Sequence, residues 1–294
     1  MKILLFGAAG LLGRYLVEEF SRHSCEFAAL THKEADITDA RRLDALFDRP
    51  WDVVINAAAV CDFDACQRDP LGTGLVNRDA PLDIARRCEA RGALFVQFSS
   101  DYIFAGDGAQ PLTEEDAPHP LSVYGDQKAA LEKEIPLLCP RSLVLRLSWL
   151  YGVGGRTFMS SMPSLLASQP VLRTAAGKKG SCLYAADGAL WTRRLIESGA
   201  TGLFNVVNAG ETSWEEFART CLEIMGSFGL APACRTIEEI PYEKLGPEWS
   251  KRPRYSCLAV DKLASLLPPG PRRWEKALEA FLADWKSFAP AGGV

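Results

Sequence analysis

The chain of 294 residues suits one large α/β domain or two fused units, and its hydrophobic share of 48% is enough for a full core. A net charge of −4 weighs against a nucleic-acid binder, which is usually basic. No run of 18 apolar residues offers a membrane span, and no secretory or metal-binding pattern holds up on inspection.

The nine cysteines are odd in number and lack a CxxC spacing, and only His23, His32 and His119 could join them. No zinc ligand set emerges, and the thiols read as reduced side chains of a cytoplasmic protein. The opening "KILLFGAAGLLG" mimics a leader peptide, but its glycine spacing has a better explanation.

"KILLF" (2–6) is a short apolar run ending at Gly7, as a buried parallel strand reads. A helix follows to about residue 23, then a second strand "EFAAL" (26–30), a helix over 39–48 and a third strand "DVVINAAA" (52–59). A helix over 79–91 leads to a fourth strand, "ALFVQFSS" (93–100), and a later helix to a fifth, "SLVLRLSW" (142–149). Strands alternating with helices predict a Rossmann-type doubly wound parallel sheet. Beyond Tyr151 the alternation weakens. Residues 157–168 read as helix, "TGLFNVVN" (201–208) as strand, and "TSWEEFA" opens a helix with Ser213 and Glu216 as a capping box. Residues 229–258 are rich in Pro and Arg, and a last amphipathic helix covers about 272–288. The expected division is a cofactor-binding domain over 1–150 plus about 180–208, with a smaller α/β lobe over about 151–179 and 209–290.

The first strand–helix turn carries Gly7, Gly10 and Gly13, a GxxGxxG spacing in its required context. Glycines let the backbone turn tightly and let a pyrophosphate approach the helix N-terminus, near Leu11 and Leu12. An acid at the end of the second strand would bind the ribose 2′-hydroxyl of NAD. Thr31, His32 and Lys33 stand there instead, and Lys33 suits a 2′-phosphate, so NADP(H) is preferred and NAD(H) is the alternative. Asp36 and Ile37 are expected near the adenine, and Ala57, Ala58 and Ala59 leave room for the cofactor.

Ser99 and Ser100 end the fourth strand, and Tyr124 and Lys128 lie four apart on the next helix, sharing a face. A ketone accepting hydride needs a proton donor and a hydrogen bond at its oxygen. Tyr124 is the donor in this reading, Ser100 the hydrogen-bond partner, and Lys128 the cation that lowers the phenol's pKa and holds the nicotinamide ribose.

GxxGxxG, a serine and YxxxK together resemble the extended short-chain dehydrogenases/reductases, and more narrowly the dTDP-4-dehydrorhamnose reductase family. The likeness runs nearly end to end, through "EADITD", "SSDYIF", "VYGDQK", "RLSWLYG" and "KRPRYSCL". It implies reduction of the C4 ketone of a nucleotide-linked 6-deoxy-4-ketohexose, with Tyr124, Lys128 and Ser100 catalytic. It also implies a sugar pocket that includes Asp101, Tyr102, Trp149 and Phe63, with Arg252 toward the phosphates. The related 4,6-dehydratases carry an Asp–Glu pair for eliminating water; here Asp101 is followed by Tyr102.

The match departs at "TAAGKKGSCLYAAD", where the family reads Asp-Gln-x-Gly-x-Pro-Thr; only Gly180 fits, and Lys178 and Lys179 point to phosphate or to solvent. The resemblance implies no nucleic-acid or membrane partner, carries over no metal site and leaves a homodimer open. The alternatives are another nucleotide-sugar reductase or epimerase, and a cofactor-binding regulatory subunit like that of methionine adenosyltransferase.

Overall fold

The first half of the chain alternates strand and helix, as its apolar runs predict. A computed structural model describes residues 1–246 and 251–288; residues 247–250 of the Pro/Arg-rich stretch and 289–290 of the expected lobe lie outside them. β1 (Lys2–Phe6), α1 (Leu11–Ser21), β2 (Glu26–Leu30), α2 (Ala40–Phe47) and β3 (Val53–Asn56) come first. Short helices α3 (Phe63–Arg68) and α4 (Pro70–Gly74) lead through a π-turn at Leu75–Asp79 into α5 (Ala80–Arg91). β4 (Leu94–Ser100), α6 (Val123–Leu138) and β5 (Ser142–Leu147) follow.

The second half crosses between two layers. β6 (Leu150–Tyr151), α7 (Phe158–Ser168), β7 (Val171–Ala175), β8 (Lys179–Gly180) and β9 (Leu183–Tyr184) leave the sheet, and α8 (Ala185–Glu197) and β10 (Gly202–Asn205) return to it. β11 (Thr212–Ser213), α9 (Trp214–Ser227), β12 (Thr236–Ile240), β13 (Tyr255–Ser256), α10 (Asp261–Leu266) and α11 (Trp274–Phe288) complete the chain. Among the described residues no helix is long and apolar enough to cross a membrane.

The main sheet runs β10-β5-β4-β3-β1-β2 with every pairing parallel. Every residue of β4 and β5 is buried, because helices cover both faces. Leu16 and Phe20 of α1 pack with Trp191 and Leu195 of α8 on one face. Leu43, Ile84, Leu131 and Ile135 cover the other. A third core, around Tyr151, Met162, Phe217, Trp274 and Phe281, belongs to the second half. The strand order reverses between β1 and β3, and the crevice at such a switch point is where ligands bind in open α/β sheets.

Several predicted boundaries shift. β3 stops at Asn56, whose buried amide donates to Gln97 Oε1 at 2.9 Å, so Ala57–Ala59 lie in a loop. Trp149 stands past the end of β5 rather than on it. Helix α8 is not assigned by the sequence reading, which places no element between the GKKG stretch and the strand at 201–208. A Cβ at Gly188 would lie 3.1 Å from Leu183 Cδ2 and 3.4 Å from Leu12 Cδ1, so it is a packing glycine where α8 closes on α1. The capping box of Ser213 and Glu216 forms as expected.

One buried ion pair ties these layers together. Arg146 of β5 and Glu132 of α6 are 2% and 5% exposed, and the guanidinium meets the carboxylate at 2.7 to 3.0 Å through Nε and Nη2. Nη1 donates to Thr113 O at 2.9 Å, and Phe104 lies 5.0 Å below the guanidinium. Removing one partner strands a buried charge. Glu132→Ala is therefore expected to cost about 3–5 kcal/mol in urea unfolding, and Glu132→Gln, which keeps an acceptor, less. Equal midpoints for the three proteins would count against this role.

Candidate active site

At the switch point the chain needs its glycines. Gly7 has φ +82°, and a Cβ there would lie 2.5 Å from Ala58 N. A Cβ on Gly13 would lie 2.1 Å from Gly7 O, so the turn admits no side chain at either position. Gly10 is the N-cap of α1 and offers no side-chain cap, and the first turn has no acid. The first N–H groups of α1 are thus left for an anion, which fits a dinucleotide pyrophosphate. Leu11 is partly exposed beside them, and Leu12 turns its side chain into the core.

The end of β2 is polar and open. His32 and Lys33 are exposed, and Lys33 has no ion-pair partner among the described residues. Thr31 N and Oγ1 both donate to Glu34 at 2.8 Å, which holds that carboxyl below its usual range. The sequence reading missed Glu34, an acid immediately after Lys33. Asp36 is held low in the same way by Thr38, and the Ile37 side chain is buried in the core. Ala57, Ala58 and Ala59 are partly exposed along the crevice.

Ser99 and Ser100 sit at the carboxyl end of β4. Ser100 Oγ donates to Asp101 Oδ1 at 3.1 Å and accepts from Tyr102 N at 3.2 Å. Tyr124 lies in the first turn of α6, which Ser122 caps through Gly125 N. Burial raises the phenol well above its ordinary pKa; Cys61 and Asp101 add to this, and a hydrogen bond with Ser100 opposes it. Lys128, expected to lower this pKa, does not offset the burial here. Lys128 Nζ is buried, donates to Phe98 O at 3.1 Å and stands 5.8 Å from the centre of the Tyr124 ring. Burial lowers its own pKa, against Cys61, Cys66 and Glu132. Tyr124 is therefore a neutral acid at neutral pH.

Around Tyr124 the predicted pocket residues converge. The Tyr102 ring meets Tyr124 and Phe63 edge-on, each at 6.0 Å. Arg252 lies 4.3 Å over Phe63 and donates to Tyr102 OH at 3.3 Å, so it closes the aromatic wall. Trp149 has φ +24°, a strained value for a bulky residue of the kind found at functional sites, and packs edge-on against Trp214 at 5.9 Å. Among the described residues Ser99 Oγ and Trp149 Nε1 are buried here without a hydrogen bond, while Ser148 and Ser256 face the Asp101 carboxyl. An orphan of this kind costs roughly 1–3 kcal/mol, so two beside Asp101 mark a site organised for something other than stability.

A second network was not legible in the sequence. The π-turn presents Asn77, which accepts from Val60 N at 2.8 Å and donates to Gln127 Oε1 at 2.8 Å. Gln127 Nε2 reaches Pro70 O and Thr73 Oγ1. These buried amides fix the crevice loop to the helix of Tyr124 and Lys128. Only the place of Gln127 next to Lys128 hinted at them. Among the described residues no group of three His, Cys, Asp or Glu side chains is placed to hold a metal ion.

The comparisons with known proteins agree with this geometry. The spore coat polysaccharide biosynthesis protein SpsK of Bacillus subtilis is 33% identical over 290 residues, covering 97% of this chain and 98% of that protein. The dTDP-4-dehydrorhamnose reductase of Streptomyces griseus is 32% identical, covering 95% and 93%. The crystal structure of dTDP-4-dehydrorhamnose reductase from Bacillus anthracis in complex with NADP superposes with a TM-score of 0.88 at 27% identity, covering 97% of this chain and all of that one. The RmlD substrate binding domain family matches residues 1–287, and the chain belongs to it.

Proposed function

We propose that the protein is an NADP(H)-dependent reductase of the C4 ketone of a nucleotide-linked 6-deoxy-4-ketohexose, with dTDP-4-dehydrorhamnose, reduced to dTDP-rhamnose, as its substrate. One observation carries the reading. A partly buried, neutral Tyr124 shares its pocket with the buried Ser100 and Lys128 at the sheet's carboxyl edge, where α1 starts without a cap. The reductase names of the S. griseus and B. anthracis relatives support the substrate, and the NADP in the latter supports the cofactor.

Held along the glycine turn, with Lys33 toward its 2′-phosphate, NADPH supplies the hydride. Tyr124 gives its proton to the ketone oxygen as C4 is reduced. Ser100 turns its hydroxyl from Asp101 to the same oxygen. Lys128 holds the ribose and stabilises the phenolate that Tyr124 becomes. Asp101, Tyr102, Phe63 and Trp149 shape the sugar pocket, and Arg252 faces the diphosphate. Residues 1–150 with about 180–208 serve the cofactor, and the lobe covers the sugar and excludes water. The nine unpaired thiols support a place in the cytoplasm.

Tyr124→Phe is expected to keep NADPH affinity and to lower turnover by roughly 10²–10⁴, the usual worth of a positioned acid. Lys128→Ala is expected to weaken both. Wild-type turnover in Tyr124→Phe would remove the assignment. In titrations, Lys33→Ala should weaken NADPH more than NADH, because only the former carries the extra phosphate; equal losses would reassign the 2′-phosphate contact. With deuterated NADPH, mass spectrometry should place the label at C4 of the sugar. Label at another carbon, or none, would overturn the reaction.

A further inference from the structure

The two lysines of the divergent "GKKG" stretch go opposite ways. Lys179 stays on the surface, 3.0 Å from the Glu211 carboxylate. Gly177, at φ +69°, turns the chain so that Lys178 points inward with no exposed surface, contrary to the expectation of phosphate or solvent. Lys178 Nζ donates to Pro253 O at 2.6 Å. It stands 5.6 Å from the centre of the Tyr102 ring and 5.8 Å from that of Trp149. Gly180 lets the indole close in, since a Cβ there would lie 2.6 Å from Trp149 Cζ2. An ammonium has three donors, and Pro253 O is the acceptor found for it among the described residues. The charges facing it are Asp101 and Arg252.

A buried cation is costly unless other charges and ring faces compensate it. Here two rings that line the pocket and one carboxylate do so. Resting on the reductase reading above, we propose that Lys178 is a positioning residue of the sugar pocket. Its ammonium fixes the Tyr102 and Trp149 rings and balances Asp101, so that Asp101 can accept a hydrogen bond from the sugar hydroxyl beside the ketone. That hydroxyl is the one on C3. Ser100, which faces the C4 oxygen, is bonded to Asp101, and the other neighbour of C4 carries no hydroxyl. The substrate class is therefore a 4-ketohexose with a free 3-hydroxyl.

Burial pulls the pKa of Lys178 down to about 8, with Asp101 opposing and Arg252 adding to the shift. Burial raises Asp101, and Ser256, Lys178, Ser148 and Ser100 oppose that. Burial also raises Tyr102, so its phenol stays neutral there. Above pH 8 Lys178 loses the charge that balances Asp101, and an anionic nucleotide sugar binds less well.

The test measures KM and kcat for a nucleotide-4-ketosugar from pH 6 to 9.5, with binding of NADPH and of the sugar nucleotide followed by calorimetry. Lys178→Met and Lys178→Gln should raise KM roughly 10–100-fold at neutral pH, the worth of a lost charged contact, and leave NADPH binding unchanged. Wild-type KM should rise above pH 8, and that rise should vanish in both variants. Because an apolar residue of similar volume often replaces a buried charge without loss of stability, Lys178→Met is expected to fold. Wild-type KM with the alkaline rise intact in either variant would overturn the proposal. So would equal losses of NADPH and sugar-nucleotide binding with a lower melting temperature in both. A wild-type protein that neither binds nor reduces a nucleotide-4-ketosugar would overturn the functional reading, and this inference with it.

Discussion

The contact of Arg146 with Glu132 is the constraint on which the catalytic layer rests. A buried guanidinium and carboxylate lose several kcal/mol of hydration each, and only close, multiply bonded geometry offsets this. That requirement fixes α6 against β5 with little freedom to slide. Lys128 lies one turn before Glu132 and Tyr124 two turns before it, so the pair sets their height above the sheet. The same arginine holds Thr113 O, and the neighbouring Glu114 accepts from Asn205 N on the last strand of the sheet. A single desolvated pair thus coordinates helix, loop and strand.

The electrostatics of the pocket are governed by dryness more than by pairwise charge. Tyr124, Lys128, Asp101 and Lys178 all move toward their neutral forms because burial is the largest influence on each. For a reductase this sign is useful. A proton donor must hold its proton until the ketone oxygen becomes basic. A phenol kept neutral does so at every pH the cell offers.

Much of this was legible in the sequence, for reasons that differ by element. The strands β1, β3, β4 and β5 are continuous apolar runs because both faces are covered, and such runs leave a strong trace. The glycines, Ser100, Tyr124 and Lys128 were legible because their types and spacings form a motif. Legibility failed where a residue's meaning comes from a partner far along the chain. β7 finds its pairing with β12 some 65 positions later, and neither strand is apolar enough to declare itself. The role of Gly188 shows only once Leu12 is seen beside it. Lys178 reads as a surface residue until Tyr102 and Trp149 are folded around it. The π-turn that aims Asn77 carries no sequence signal at all.

The position of β10 has a consequence for how the chain is made. Among the described residues it pairs only with β5, yet it follows β5 by more than fifty residues of the second layer. During synthesis the sheet therefore waits with β5 as a bare edge, a row of unpaired backbone groups bearing Leu143, Val144 and Leu145. Such an edge invites pairing with another chain. A fragment ending near residue 150 would keep five of the six strands but lack α8 and β10, and would be prone to clump. The return of the chain through α8 covers β5 and leaves the shorter β10 as the edge.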